Sequence, residues 1–143
     1  MQNLYSITLN TKQGDDAQYL CVSGRDFQKR DLIMIYNFTE LLQNKRVEIY
    51  ARQLCDFDLV NIRFNDANQN ALGACGRENI RFFKIKNGHL PGQHVTLNNT
   101  ARGKLFNKSI VDYITNDKGI KKATNVFVST NCGLMYIINY QSR

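Results

Sequence analysis

No unbroken apolar run in this chain is longer than Leu32-Ile33-Met34-Ile35-Tyr36, and it constrains the fold more than any other stretch. Five residues have the length of a strand and fall far short of the roughly 18 to 20 that a membrane span requires. A strand with one solvated face alternates apolar and polar residues, whereas an unbroken run suits a strand covered on both faces. The run is therefore read as a central strand. The rest of the chain must supply what covers it.

Much of that remainder is also β-like. Leu4 to Leu9 and Ala17 to Val22 flank the polar turn Lys12 to Asp16, a hairpin pattern. Asn37 can cap a short helix, with Glu40 three residues on and Leu41 and Leu42 as apolar contacts, and Lys45 and Arg46 suit its C-terminal turn. From Val47 the residues alternate again, which favours a strand over a continuation of the helix. Val126 and Val128, the turn Asn131-Cys132-Gly133 and Leu134 to Ile138 form the clearest hairpin, with Gly133 free to take φ > 0.

Asn61-Ile62-Arg63-Phe64 recurs as Asn79-Ile80-Arg81-Phe82. With a period of two, Val60, Ile62 and Phe64 share one face, Ile80 and Phe82 share one, and Arg63 and Arg81 lie opposite them. If these strands pair, the two arginines stand together. Asn87-Gly88 and Pro91-Gly92 mark turns.

Phe106, Ile110, Tyr113 and Ile114 make an apolar stripe at helical spacing, opened by Asn107 and stopped at Gly119. The fold expected is α+β and mainly β: about eight strands in a barrel-like or layered sheet with two short helices. A single domain over residues 1–143 is expected, since the length, the 43% apolar content and the lone proline suit a chain that buries a core without staples.

The net charge of +7 is unevenly placed. Residues 1–78 hold nine Lys/Arg and ten Asp/Glu, a balance of −1, while residues 79–143 hold ten Lys/Arg against Asp112 and Asp117, a balance of +8. Clustered positive charge concentrates polyanions. In Arg81-Phe82-Phe83-Lys84-Ile85-Lys86, aromatics and cations alternate as on sheets that stack bases and hold phosphates, although Phe83 and Ile85 would equally suit a second apolar layer. Arg81, Lys84, Lys86, Arg102, Lys104, Lys108, Lys121 and Lys122 are the candidate phosphate contacts.

No phosphate-binding loop, dinucleotide fingerprint or nucleophile elbow occurs, and His89 and His94 have no companion carboxylate, so no catalytic residue is assigned and a non-enzymatic protein is expected. Cys21, Cys55, Cys75 and Cys132 form no CxxC pair and have no histidine nearby, which argues against a metal site. No cofactor is expected either. The N-terminus lacks a secretory pattern, so the thiols are read as free and the location as cytoplasmic.

A strand, a turn with Arg102-Gly103, a short helix, then Gly119-Ile120 leading into a hairpin resembles the AbrB/MazE-type swapped-hairpin DNA-binding unit, over the last third of the chain. The resemblance implies dimers with interleaved hairpins that present Arg102, Lys104 and Lys108 to DNA. Two partner classes follow. The first is nucleic acid, held through its phosphate backbone by the basic half, residues 79–143. The second is a larger protein assembly, a virion component or a subunit packed through β-strands, suggested by the alternating strands and seventeen asparagines. A homo-oligomer is compatible with either, and no membrane partner is expected.

Overall fold

The computed structural model describes residues 2–10, 17–65, 68–76, 79–95, 125–130 and 133–139. Within them the chain forms ten strands and one helix: β1 (Asn3–Leu9), β2 (Tyr19–Arg25), β3 (Asp31–Asn37), α1 (Phe38–Asn44), β4 (Ile49–Leu54), β5 (Leu59–Asn65), β6 (Asn68–Gly76), β7 (Asn79–Lys84), β8 (Gly92–His94), β9 (Asn125–Ser129) and β10 (Met135–Asn139). The pairing is antiparallel throughout. It gives one sheet in the order β1-β2-β3-β4, a second in the order β5-β6-β7-β8, and the hairpin β9-β10.

Local chemistry accounts for the elements. Asn37 accepts a hydrogen bond from Glu40 N at 3.2 Å and so starts α1, while Lys45, at φ 54°, ends it in the left-handed region. Asn87 and Gly88 both take positive φ, 50° and 75°, as a two-residue type I′ hairpin requires, and Lys86 and His89 exchange backbone hydrogen bonds of 3.0 Å across them. Gly133 stands at φ 84°, the left-handed backbone expected of that turn.

Two interfaces hold the layers together. Tyr19, Cys21, Ile33, Ile35 and Ala51 of the first sheet pack against Leu59, Ile62, Phe64, Leu72, Ala74 and Phe83 of the second. On its other face the second sheet offers Cys75, Ile80, Phe82 and Val95 to Val126, Val128 and Ile138 of the hairpin. The second sheet is thus the middle layer. Phe82 and Phe83, adjacent in sequence, are buried in different cores.

The expected architecture needs correction. Among the described residues the sheets are three and open, none closed into a barrel, and there are one helix and ten strands where two helices and about eight strands were expected. The helix expected from Asn107 to Gly119 lies outside the described residues. Closure fails after β4: the chain does not turn back in a hairpin there, but crosses from one sheet to the other between Leu54 and Leu59. Asp31 anchors the crossing at both ends, its carbonyl accepting from Cys55 N at 2.8 Å and its carboxylate from Leu59 N at 2.7 Å.

The Arg63–Arg81 pairing is corrected too. β6 lies between β5 and β7, and Arg63 aligns with Gly73 and Phe82 while Arg81 aligns with Ala74 and Ile62. Ile62 and Phe64 face the first sheet whereas Ile80 and Phe82 face the hairpin, so the two arginines sit on opposite sides of the middle layer. A register shift between Leu59 and Asn61 also exchanges the roles of their neighbours: Leu59 is buried, and Val60 is 38% exposed.

Candidate functional site: an apolar sheet face and a basic edge

The first sheet has a second face, opposite its core, and the strand register composes it. Leu4, Gly24, Leu32 and Leu54 align in one row across β1 to β4; Ile7, Val22, Met34 and Arg52 align in the next; Leu9, Leu20, Tyr36 and Ile49 align in a third. Ten of these twelve positions carry large apolar side chains. Arg52, at the β4 edge, is the sole charged member.

This face is substantially open. Leu4 is 57% exposed, Ile7 58% and Ile49 52%, with Leu54 and Leu9 also exposed; Leu20, Val22, Met34 and Tyr36 are half-buried, and Gly24 and Leu32, the inner pair of the first row, are buried. Phe27, in the turn after β2, and Leu42 and Val47, between β3 and β4, extend the exposed apolar surface at the two ends of the sheet. Strand spacings of about 4.8 Å and two-residue steps of about 6.7 Å give the grid a footprint of roughly 19 by 20 Å, or about 400 Å². Monomers rarely expose apolar patches beyond a few hundred Å² without a use for them.

The sequence reading missed this surface although its signal was present. The run Leu32 to Tyr36 does occupy an interior strand, with Ile33 and Ile35 fully buried. Leu32, at the start of the run, is buried as well, at 4%. The other parity, Met34 and Tyr36 with Ile7, Leu9, Leu20 and Val22, is as apolar as the first and is only partly covered.

Rigidity at one end of the sheet comes from a buried carboxylate. Asp31, 5% exposed, accepts from Tyr5 Oη at 3.0 Å, Arg25 Nε at 2.8 Å and Leu59 N at 2.7 Å, tying β1, β2 and β5 to β3. Burial first, then the bond to Asp31, raises the Tyr5 pKa, and the same carboxylate raises that of Arg25. Cys21 and Cys55 are free thiols; burial pushes Cys55 up to about 12 and raises Cys21 as well, so neither is poised as a nucleophile.

Three of the eight expected phosphate contacts fall within the described residues. Arg81 is engaged internally: Nη1 donates to Asp56 Oδ1 at 2.7 Å, and the guanidinium lies over the Phe57 ring at 4.8 Å. That guanidinium holds the Asp56 carboxyl below the usual carboxylate range. Lys84 and Lys86 are exposed, two residues apart on one side of an extended segment. Arg102, Lys104, Lys108, Lys121 and Lys122 lie outside the described residues. Phe82, Phe83 and Ile85 are 7%, 3% and 6% exposed, so the aromatic strand offers core and no stacking platform.

Among the described residues no group of three or more His, Cys, Asp or Glu is placed to hold a metal ion, and no helix is long and apolar enough to cross a membrane. No family model matches the chain. It is similar to centriole proteome protein 16 of Chlamydomonas reinhardtii, at 25% identity over 90% of this chain, and to WD repeat-containing protein 90 of Xenopus tropicalis, at 22% identity over 54%. The match spans only 7% and 4% of the lengths of those two proteins.

Proposed function

We propose that this chain is an assembly module, a β-rich unit that docks onto another subunit of a larger protein complex through the outer face of β1 to β4. The observation that carries the reading is the grid of ten apolar side chains in three registered rows, with Ile7, Leu4 and Ile49 each more than half exposed. A strand as uniformly apolar as Leu32 to Tyr36 belongs between two layers. The chain's own core supplies one of them.

The footprint argues for the kind of partner. About 400 Å² is half of the roughly 800 Å² that each partner contributes to a standard interface, so two copies meeting by this face alone would bury too little. A different, larger subunit that reaches past the grid onto Phe27 at one end or Leu42 and Val47 at the other meets the requirement. The similarity to a protein named for the centriole proteome points the same way, because a centriole is a large protein assembly, and the shared stretch is a small part of that long protein.

The test is placement in cells. A fluorescently tagged chain is expected to concentrate at centrioles, the double variant Ile7→Lys/Ile49→Lys to lose that placement while remaining folded, and Arg63→Glu, on the middle sheet, to keep it. Equal placement of the wild type and the double variant would overturn the assignment. So would a salt-resistant dimer in sedimentation, which would make a second copy the occupant.

A further inference from the structure

A second surface, which shares only Arg52 with the apolar face, runs along the edge where β4 meets the β7–β8 hairpin. One groove there is lined by Arg52, Gln53, Lys86, Asn87, His89, Leu90 and Pro91, and an adjoining one by Phe82, Phe83, Lys84, Lys86, Pro91, Gly92 and Gln93. Lys86 and Pro91 belong to both, so the two form one continuous strip. It presents Arg52, Lys84 and Lys86, and no carboxylate lines either part.

The backbone fixes this strip in place. The type I′ turn at Asn87-Gly88 sets Lys86 opposite His89, and Gly88 lies close to the Tyr50 carbonyl of β4. Gly92 lets β8 lie directly against Phe83: a Cβ at that position would come within 2.7 Å of the ring. Lys84 and Lys86 therefore project from a rigid, extended segment, roughly 6.7 Å apart.

We infer that this strip is a docking groove for an extended acidic polypeptide segment, one with carboxylates at alternate positions. The charge is complementary, and an extended chain repeats its side chains on one face at the same spacing of roughly 6.7 Å, so successive carboxylates reach Lys84 and Lys86 in register. A single-stranded nucleic acid would use the same cations but would also need exposed rings for its bases. The two rings in the lining, Phe82 and Phe83, are only 7% and 3% exposed, too little surface for a base to stack on.

The probe is a fluorescein-labelled ten-residue peptide with Glu at alternate positions, titrated with the full chain in anisotropy measurements at about 50 mM salt. A Gln-for-Glu peptide and an oligothymidylate of the same charge are titrated alongside. Saturable binding of the Glu peptide is expected, weakened at least about tenfold by Lys84→Glu/Lys86→Glu and severalfold by Arg52→Glu. Both lysines are exposed, so the melting temperature should stay within a few degrees of wild type, and Lys84→Gln/Lys86→Gln gives a milder form of the same loss. Oligothymidylate binding as tight as the peptide's would assign the strip to nucleic acid and overturn the inference, as would absence of peptide binding or indifference to the lysine reversal. The result does not depend on the apolar face, because the double variant Ile7→Lys/Ile49→Lys should bind the peptide as wild type does.

Discussion

Replacing Ile7 and Ile49 together by lysine separates a face built for a partner from a face that belongs to the core. Both side chains are already more than half exposed, at 58% and 52%. Full burial of an isoleucine is worth about 1.5–3 kcal/mol, so the part used within the chain is worth about 1 kcal/mol for each, and a lysine stem recovers some of it by lying along its neighbours. The double variant should lose about 1–2 kcal/mol of folding stability. Truncating the fully buried Ile33 to alanine should cost about 2–5 kcal/mol by itself, because it leaves a cavity between the two four-stranded sheets.

For docking the order reverses. Leu4, Ile7, Leu9, Ile49 and Leu54 together expose the equivalent of more than two whole aliphatic side chains. Covering them contributes about 4–7 kcal/mol before the costs of association. Two lysines would remove close to half of that and force ammonium groups against an apolar partner. Urea denaturation reads the first quantity. Fluorescence of a hydrophobic dye bound to the native protein reads the second, and should fall for the double variant while staying unchanged for Arg63→Glu. A stability loss above about 4 kcal/mol in the double variant would refute the reasoning, since it would mean that the face is part of the core in solution.

Three further outcomes follow from the geometry. Asp31→Ala should destabilise the fold strongly, since the buried Leu59 N–H alone loses an acceptor at a cost of about 1–3 kcal/mol, whereas Asp58→Ala, at a mostly exposed position, should be nearly neutral in the same urea titration. Gly76→Ala should lower stability by about 1–3 kcal/mol, because a Cβ there collides with the Asp58 carbonyl and the Phe57 ring at the crossing between sheets; an unchanged urea midpoint would count against that crossing. Asp26, bonded by Arg30 and Gln28, and Asp56, bonded by Arg81, have folded-state pKa values below the ordinary carboxylate range. Their stabilisation is complete above the unfolded carboxylate value near ~3.9 and is lost as pH falls through the folded values, so the melting temperature should drop more steeply below pH ~4 in wild type than in Asp56→Asn.

What the sequence disclosed follows the range of the interactions involved. Asn37 as a cap, Asn87-Gly88 as a tight turn and Gly133 as a left-handed position were legible because each depends on the backbone of a few neighbouring residues. The faces of β5 and β7 were legible only in part and only within each strand: Arg63 does oppose Ile62 and Arg81 does oppose Ile80, but the shift after Leu59 takes Val60 off the face of Ile62 and Phe64. Which layer each face meets depends on β6 lying between them, and periodicity carries no information about strand order. Closure was misjudged for the same reason, because the crossing after β4 depends on Asp31, more than twenty residues earlier in the chain.

The run Leu32 to Tyr36 shows where a sequence rule and a structure inform each other most. The rule holds that an unbroken apolar strand is covered on both faces, and β3 agrees with it along the side of Ile33 and Ile35 but, on the other, only at Leu32. Taken as a property of the isolated chain, the rule fails here. Under the assembly role proposed above, it calls for a further layer above Met34 and Tyr36, flanked by Ile7, Val22, Leu9 and Leu20 in register. The exposure of Ile7 and Ile49 then measures what that layer would cover. The basic strip at Arg52 and Lys86 lies at the rim of the same sheet, so a partner seated on the apolar face would leave the β7–β8 edge open to a separate acidic segment.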